Sequence, residues 1–319
     1  MNLLEDEVVR YPIIGSIQNS VGMGFLGNQA LWSIANALGV RVIQATTAFA
    51  TAHPGFHGRT NWVTDPNELR KEVQFLVQQR PGLIVVGFLP RPGHVEAVAD
   101  GLRAFKGVVL LDPVIGDYTK GLYVSQETAT AIRDLLLPIA QIVTPNRFEA
   151  EVFIGGADHA RSAWACLNAM FDLGPHSVII KSFEKDAEKH RVRTLVTNGY
   201  SYHRISAPFY PRYPAHGAGD TFAAALGTFI ALGASPFAAT LLGSALTARA
   251  VANSSNYGGA CVDPVAALSK WNPVGYHVDD DKAMRFAAKS SVENETLRST
   301  ADDIPRLKFS PPRHKIIYT

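Results

Sequence analysis

The sequence predicts an α/β fold in which helices cover both faces of a mainly parallel central sheet. Short, continuously apolar runs alternate with longer segments of helical periodicity along most of the chain. Continuously apolar strands are typical of a sheet that is buried on both faces, and parallel strands require crossover helices between them. The predicted strands are 10–18, 40–49, 82–88, 107–113, 141–146 and 176–182, and the predicted helices are 28–38, 64–79, 93–105, 126–140 and 161–173.

Local signals support two of these elements and add a hairpin. The second helix has the strongest start, because Asp65 is a favourable N-cap and Pro66 stands at the first helical position. The stretch 191–206 has strand-like composition on both sides of Asn198 and Gly199. An Asn-Gly pair favours a tight turn, so we predict a hairpin added late in the sheet.

The uncharged stretch 221–248 is long enough to span a membrane. It is interrupted by Gly233, a typical residue just past a helix end, and by Ser235 and Pro236, a typical helix start. We therefore predict two shorter buried helices that are rich in alanine and glycine, and no membrane span.

Composition and charge are those of a soluble globular protein. Of the 319 residues, 47% are hydrophobic and 18% are charged, and the formal net charge is +2. This balance implies neither a nucleic acid nor a membrane surface as a partner. The two cysteines cannot form a disulfide framework or a zinc site by themselves. The N-terminus lacks the regions of a signal peptide, so we expect a reduced, cytoplasmic setting.

The character of the chain changes near residue 272, where the sequence becomes polar and charged. No internal repeat or low-complexity tract is present before that point. We therefore expect one α/β domain over residues 1–272 and a polar C-terminal extension over residues 273–319.

Oxygen-bearing side chains follow two of the predicted strands, where ligands of such sheets bind. Asp112 and Asp117 come after the apolar part of one strand, 107–111, and Thr144, Asn146 and Glu149 come after that of the next, 141–143. Oxygen ligands at neighbouring strand ends suit a hard cation such as Mg²⁺ that bridges phosphates. Turn chemistry around a proline and a glycine is the alternative for the two aspartates, and for either one alone we favour it. The joint pattern favours a functional site.

A lone carboxylate, Asp220, stands at the start of the first uncharged helix, directly after Gly217, Ala218 and Gly219. The backbone N–H groups of these small residues and the positive end of the helix can form an anion site. An ordinary first-turn acid would explain the aspartate alone. It would not explain the glycines before it, which allow a bulky anion close to the backbone. A carboxylate beside such a site can take a proton from an attacking hydroxyl.

Gly22, Gly24 and Gly27 form the pattern G-x-G-x-x-G after an apolar strand, which is the outline of a dinucleotide-binding fingerprint. That interpretation requires an acidic residue about 20 positions later, to bind a ribose hydroxyl. No aspartate or glutamate occurs between Glu7 and Asp65. A nicotinamide- or flavin-dependent oxidoreductase is therefore disfavoured. No G-x-x-x-x-G-K-[ST] phosphate loop is present either.

Three groups of motifs resemble a known superfamily. GAGDTFAAAL resembles the C-terminal signature of the ribokinase-like superfamily. LLDPVIGDYTKGLYV, followed by LLLPIAQIVTPNRFEAE, resembles its vitamin-kinase branch, and SIQNSVGMGFLGNQAL followed by GVRVIQATTAF is similar to the N-terminal pattern of pyridoxal kinases. The likeness runs over roughly residues 10–270. Hydroxymethylpyrimidine kinases share the DPV and TPN elements, but they usually carry a different early loop and a cysteine in place of the final aspartate.

The resemblance to pyridoxal kinases implies a ribokinase-like three-layer α/β/α sandwich and a set of residue roles. It implies that Asp220 is the catalytic base and contacts the acceptor, and that Gly217, Ala218 and Gly219 form the anion hole. It places Asp112, Asn146, Glu149 and Ser182 around ATP, and Asp117, Thr144 and Glu149 around metal ions. On the acceptor side it places Thr47 against a pyridine substrate.

The same resemblance implies ATP and Mg²⁺ as cofactors, a monovalent cation (K⁺ or Na⁺) as a further one, and a homodimer with the apolar N-terminal edge, residues 10–50, as a contact surface. Two departures from the family lie on the acceptor side. Asn19 stands where the family has a substrate-side serine, and residues 87–90 read Gly-Phe-Leu-Pro. The short loop 52–58 leaves the substrate-side histidine open between His53 and His57.

Two function classes follow from these observations. The first is an ATP-dependent kinase of pyridoxal, pyridoxine and pyridoxamine, or of another hydroxymethyl heterocycle such as hydroxymethylpyrimidine. The second is a non-catalytic ligand-binding member of the same fold, because the acceptor side has changed. The intact segment from Gly217 to Asp220 favours the enzyme, since a binding protein does not need a base.

Overall fold

In the residues that the computed structural model describes (12–53, 56–211, 216–254, 261–269 and 280–297), ten strands form one twisted sheet and two more form a small hairpin. The strands are β1 (Ile13–Val21), β2 (Arg41–Ala50), β3 (Asn61–Val63), β4 (Leu83–Val86), β5 (Val108–Leu111), β6 (Gly116–Asp117), β7 (Gly121–Leu122), β8 (Ile142–Val143), β9 (Ser177–Asp186), β10 (Arg191–Thr197), β11 (Tyr202–Pro208) and β12 (Glu293–Thr296). The helices are α1 (Asn28–Ala37), α2 (Pro66–Gln78), α3 (Pro92–Gly101), α4 (Gln126–Ala131), α5 (Arg147–Phe153), α6 (Ala163–Phe171), α7 (Ala218–Ala231), α8 (Pro236–Ala252), α9 (Pro264–Leu268) and α10 (Asp280–Lys289).

The central part of the sheet is parallel. The strand order is β12-β11-β10-β9-β8-β5-β4-β1-β2-β3, and the strands from β9 to β2 in this order pair in parallel. The outer strands β3, β10, β11 and β12 pair antiparallel. This arrangement confirms the predicted α/β fold with a mainly parallel central sheet.

Two apolar cores lie on opposite faces of the sheet, as the alternation of side chains along a strand requires. On β4, Leu83 and Val85 face the core that contains α1, α7 and α8, whereas Ile84 and Val86 face the core that contains α2, α3 and α6. Because both faces are covered, the inner strands are apolar at every position. The molecule is therefore a three-layer α/β/α sandwich, as predicted.

Helix boundaries follow the predicted capping signals. The Asp65 side chain accepts hydrogen bonds from the backbone N–H groups of Asn67 and Glu68 at the start of α2. Ser235 caps α8 in the same way, and Gly233 has a φ of 95° just after α7. The uncharged stretch therefore forms two helices, and none of the helices in the described part of the chain has the length and apolarity that a membrane span needs.

Several elements differ in length from their prediction. The predicted helix 126–140 is α-helical only to Ala131 and continues as wider and tighter turns, because Pro138 lacks a backbone N–H. Only Ile142 and Val143 of the predicted strand 141–146 belong to a strand, since Pro145 cannot donate to the sheet. The hairpin is present, but β10 ends at Thr197 and β11 begins at residue 202, so its turn has four residues.

Part of the predicted C-terminal extension is ordered against the domain. The side chains of Ala283 and Ala287 on α10 and of Val292 are buried in the core that contains α8. Strand β12 pairs with β11 and extends the sheet. The boundary at residue 272 stays a prediction, and residues 298–319 lie outside the described part of the chain.

Candidate active site

The site lies where the carboxyl ends of the parallel strands meet the N-terminal ends of α1 and α7. Asp220, in the first turn of α7, is its central group. Its Oδ1 accepts a hydrogen bond of 2.7 Å from the backbone N–H of Gly27, the N-cap of α1. The carboxylate therefore links the starts of two helices that are almost 200 residues apart in the chain.

Gly27 is a functional position that the sequence interpretation missed. It has φ 49° and ψ −120°, a conformation that favours glycine. A Cβ atom there would lie 2.2 Å from the backbone oxygen of Asn19. The third glycine of the G-x-G-x-x-G pattern thus serves to bring a backbone N–H to Asp220. The sequence disfavours a dinucleotide site for this pattern, and the structure shows instead that its third glycine contacts Asp220.

The pKa of Asp220 is raised from 3.8 to about 6. Burial is the main cause, and the negative charge of Asp112 adds to it. The hydrogen bond from Gly27 and the positive charge of Lys181 act in the opposite direction. A carboxylate with this pKa is ionised at pH 7 and is a stronger base than an exposed aspartate.

The segment of Gly217, Ala218 and Gly219 forms the start of α7, as predicted. Gly217 is the N-cap with a left-handed φ of 83°, and a Cβ atom there would lie 2.6 Å from the backbone oxygen of Phe25. A Cβ atom on Gly219 would lie 3.5 Å from Lys181 Nζ. The helix start therefore presents backbone donors next to a lysine ammonium, which is an arrangement that suits an anion. Its role as the anion hole stays a prediction.

Asp112 is the most deeply buried acid of the site, with 1% of its surface exposed. Its Oδ1 accepts a hydrogen bond of 2.7 Å from Thr144 Oγ1 and a second one from Lys181 Nζ. Its Oδ2 is buried and has no hydrogen-bond partner among the described residues. A buried carboxylate oxygen without a partner is unfavourable unless a ligand completes it.

Asn146 and Glu149 form a capping box at the start of α5. The Asn146 side chain accepts from the Glu149 N–H at 2.9 Å, and Glu149 Oε2 accepts from the Asn146 N–H at 2.7 Å. Glu149 Oε1 accepts from the N–H of Ile115 at 3.1 Å, which joins α5 to the loop after β5. Burial raises the pKa of Glu149 to about 8, against the positive charge of Lys181.

Lys181, in the middle of β9, is a second site residue that the sequence interpretation missed. It is 8% exposed and bonds Asp112. Burial lowers the pKa of Lys181, but the carboxylates of Asp112 and Glu149 outweigh burial and raise it, so the ammonium stays charged. One signal was available, since a single lysine interrupts the apolar run HSVIIKS. The neighbouring Ser182 is exposed and has φ 49°.

Asp117 belongs to the turn between β6 and β7. Its Oδ1 accepts hydrogen bonds from the N–H groups of Thr119 and Lys120, at 2.7 Å and 2.8 Å, and its Oδ2 accepts from the hydroxyl of Tyr123. Burial acts to raise the pKa of Asp117, but these hydrogen bonds outweigh it and lower the pKa. These are the contacts of a residue that stabilises a turn, which was the alternative interpretation of Asp117. The position of Asp117 near a metal ion stays a prediction.

Two predicted acceptor-side residues lie in the C-terminal halves of β1 and β2. Thr47 is fully buried, and its hydroxyl donates a hydrogen bond of 2.8 Å to the backbone oxygen of Phe88. Asn19 is half-buried and lies against Gly27. The two family departures, Asn19 and the 87–90 loop, are thus each in contact with a residue of the site. Their contact with a substrate stays a prediction.

The structure separates the two histidines of the loop 52–58. His53 is buried, and its ring lies 5.2 Å from the ring of His216, directly before Gly217, whereas His57 is exposed. Burial, aided by the charge of His216, lowers the pKa of His53 to about 4. His53 is therefore neutral at pH 7, and it lies beside the segment that leads into α7. Residues 54 and 55 of this loop lie outside the described part of the chain.

Known proteins resemble this chain over most of its length. The model of the phosphomethylpyrimidine kinase family matches residues 27–266. Pyridoxal kinase PdxY of Deinococcus radiodurans is 30% identical over 251 residues, which are 73% of this chain and 84% of that protein. Pyridoxal kinase PdxY of Leifsonia xyli is 26% identical over 220 residues, which are 66% of this chain and 77% of that protein.

Solved structures share the fold. The pyridoxal kinase of Staphylococcus aureus in complex with ADP aligns with a TM-score of 0.74 at 23% identity, over 90% of this chain and all of that one. Its complex with AMP-PCP and pyridoxal aligns with a TM-score of 0.72 at 22% identity, over the same shares. A phosphomethylpyrimidine kinase-like protein of Bacteroides thetaiotaomicron with pyridoxal gives 0.70 at 21% identity, over 90% and 100%.

The fold and the site geometry thus define a protein of ribokinase-like fold with a half-buried aspartate at the start of α7. The chain belongs to the phosphomethylpyrimidine kinase family, and within it to the pyridoxal kinases, as its motifs indicated.

Proposed function

We propose that this protein transfers the γ-phosphoryl group of ATP to the hydroxymethyl group of pyridoxal, pyridoxine and pyridoxamine, a reaction of vitamin B6 salvage. The observation that carries the proposal is the position of Asp220, a base with a pKa of about 6 held by Gly27 at the start of α7. Relatives that share the family over most of their length are pyridoxal kinases, and a structural neighbour binds both AMP-PCP and pyridoxal.

In this reaction Asp220 accepts the proton of the acceptor hydroxyl. The acceptor oxygen bonds the γ-phosphorus, the bond from that phosphorus to the bridging oxygen breaks, and ADP leaves. The N–H groups of Gly217, Ala218 and Gly219, at the positive end of α7, stabilise the charge on the transferring group. Lys181 Nζ lies beside them and adds a positive charge. Positioning and charge stabilisation are the main contributions that a protein makes to phosphoryl transfer.

The residues present fit Mg²⁺ at Asp112. Its Oδ2 is a buried carboxylate oxygen that lacks a partner among the described residues, and Mg²⁺ prefers such ligands together with phosphate oxygens. When bound, the ion neutralises charge on the ATP phosphates. The oxygens of Asp117 and Glu149 already accept hydrogen bonds from the protein, and the hydroxyl of Thr144 donates to Asp112. The predicted metal roles of these three residues stay predictions.

Hydroxymethylpyrimidine is the second candidate acceptor, because the matching family model is that of phosphomethylpyrimidine kinases. The acceptor-side change at Asn19 is compatible with either heterocycle. A coupled ADP-release assay with pyridoxal, pyridoxine, pyridoxamine and hydroxymethylpyrimidine separates the two. We expect the highest kcat/KM with the three B6 vitamers, and a clear preference for the pyrimidine would replace the first candidate by the second.

The variant Asp220→Asn tests the base in the same assay. The amide keeps the acceptor oxygen for the Gly27 N–H but cannot take a proton, so we expect turnover to fall by at least about 10²-fold. ATP affinity should be unchanged, and the melting temperature should not fall. A variant with unchanged turnover would make Asp220 a structural residue and favour the non-catalytic binding protein.

We also propose a homodimer and a cytoplasmic location. Two large aromatic side chains support a contact surface near the N-terminal edge: Trp32 on α1 is 54% exposed, and Trp62 on the edge strand β3 is 56% exposed. Both cysteines are buried free thiols, which agrees with a reducing compartment.

A further inference from the structure

A lysine ammonium lies among the oxygen atoms that a monovalent cation would need. Lys181 Nζ bonds Asp112 Oδ1, the same oxygen that accepts the hydroxyl of Thr144. The carboxylates of Glu149 and Asp220 also act on this ammonium electrostatically. The side chains of Lys181 and Asp112 are only 11% and 1% exposed, so water does not screen the pair.

Asp112 Oδ1 already has two donors without an added ion, and Asp112 Oδ2 is left for Mg²⁺ bound to the ATP phosphates. An ammonium is a compact single positive charge that takes oxygen partners, and K⁺ or Na⁺ meets the same requirement with the same partners. A monovalent cation would compete with the ammonium for Asp112 Oδ1, whereas Mg²⁺ would bind the other oxygen together with the ATP phosphates, whose negative charge offsets the repulsion. Two positive charges about 4 Å apart at an effective dielectric constant of about 20 repel strongly enough to weaken binding by about 10³-fold.

We propose that the ammonium of Lys181 takes the place of a monovalent cation in this site, so that neither K⁺ nor Na⁺ is a cofactor of this protein. The expectation of a monovalent cation, which came from the family resemblance, does not fit the residues present. The part of the proposal that concerns turnover rests on the proposed kinase function. The part that concerns ion binding rests on the contacts of Lys181 and does not require catalysis. A tethered charge is always present, so activity becomes independent of the salt around the protein.

Two variants of Lys181 test the proposal. Lys181→Ala removes the charge and opens space for an ion, whereas Lys181→Met removes the charge and fills the space. Lys185→Ala is the matched control, because Lys185 is an exposed residue of the same strand. Each protein is assayed at constant ionic strength and constant MgCl₂ in KCl, NaCl, NH₄Cl or tetramethylammonium chloride.

We expect the wild type and Lys185→Ala to have the same kcat in all four salts. Lys181→Ala should be weak in tetramethylammonium chloride and should gain at least about tenfold in a saturable way with K⁺ or NH₄⁺, which corresponds to a modest stabilisation of the transition state. Lys181→Met should stay weak in every salt. Activation of the wild type by K⁺ or Na⁺, or a Lys181→Ala variant that no cation restores, would overturn the proposal.

Thermal unfolding without ATP gives a readout that does not depend on catalysis. An ion that binds only the folded protein raises the melting temperature saturably. We expect KCl to raise it relative to tetramethylammonium chloride for Lys181→Ala and to leave the wild type unchanged. A protein without kinase activity would thus end the proposed function but leave this result standing. If Lys181→Ala does not fold, a saturable K⁺ stabilisation of the wild type refutes the proposal and its absence supports it.

Discussion

At the scale of single residues, the site depends on a carboxylate that the protein keeps charged at a cost in stability. Asp220 has one strong partner, the N–H of Gly27, and it lies in a partly buried position near the negative charge of Asp112. Its raised pKa is the sign of that cost. A base with a pKa of about 6 can accept a proton near neutral pH. At the same pH its negative charge makes the folded state less stable.

The pH dependence of the rate follows from this pKa. Below about pH 6 Asp220 is protonated and cannot accept a proton, so kcat/KM should fall by about tenfold per pH unit as the pH decreases. A profile of kcat/KM between pH 5 and pH 8 measures this limb, and Asp220→Asn should remove it. A limb near pH 8 instead would assign the controlling group to Glu149, whose pKa is about 8.

The variant Asp220→Asn should lose activity but gain stability. The unfolded chain loses the Asp220 proton near pH 4 and the folded chain near pH 6, so the folded state becomes less stable as the pH rises through this interval. The neutral amide of Asp220→Asn escapes this loss. We expect the variant to gain no more than about 3 kcal/mol in the free energy of unfolding above pH 6. Urea unfolding at pH 7.5 and pH 4 tests this, since the gain should vanish at the lower pH.

Substitution of Gly27 should impair the protein as Asp220→Asn does, although Gly27 has no side chain. In Gly27→Ala the new Cβ meets the backbone of Asn19 and the backbone angles are unfavourable, which should cost about 1–3 kcal/mol. The N–H of residue 27 moves away from Asp220, so kcat should fall as well. Gly58→Ala is the control, because Gly58 also has a positive φ but no neighbour within 4 Å. An equal loss of kcat in both variants would contradict the assigned role.

At the scale of secondary-structure elements, the sequence predicted those parts that local chemistry determines. The starts of α2 and α8 follow from Asp65 and Ser235, and the buried parallel strands follow from their unbroken apolar composition. The role of Gly27 depends instead on a contact with residue 220 on another helix. Lys181 interrupts an apolar strand, and only the folded chain shows that its partner is Asp112. The local signals at these two residues, a glycine pattern and a lysine in an apolar run, do not identify a partner in a distant segment, which is why their contacts were not predicted.

The capping box of α5 joins this helix to the loop that carries Asp112. Glu149 accepts hydrogen bonds from the N–H groups of Ile115 and Asn146, both in the site. Glu149→Ala leaves these buried donors without an acceptor, which should cost about 1–3 kcal/mol for each fully buried one. Glu149→Gln keeps one oxygen and should lose less. Urea unfolding of the two variants measures the difference, and equal stabilities would show that the box contributes little.

At the scale of the whole molecule, the two edges of the sheet have opposite character. The edge at β12 carries exposed, charged residues: Glu293 contacts Arg191, and Glu295 contacts Arg204 at 3.1 Å. Charged edge strands prevent pairing with another chain. The edge at β3 instead exposes Trp62, which stacks on Phe49 with ring centroids 4.2 Å apart. We therefore expect a homodimer to form on the β3 side, and the segment that contains α10 and β12 to close the other side.

A truncated chain and a point variant test this difference between the edges. Light scattering of the full chain should give twice the 34.5 kDa of one chain, and Trp62→Glu should shift the protein to the monomer. Tyr200→Glu, at an 81% exposed position on the distant hairpin, should remain dimeric. Removal of residues 280–319 uncovers the edge of β11 and the apolar contacts of Ala283 and Ala287, so the truncated protein should melt at a lower temperature and form larger assemblies. A truncated protein that stays dimeric with an unchanged melting temperature would show that the segment does not protect this edge.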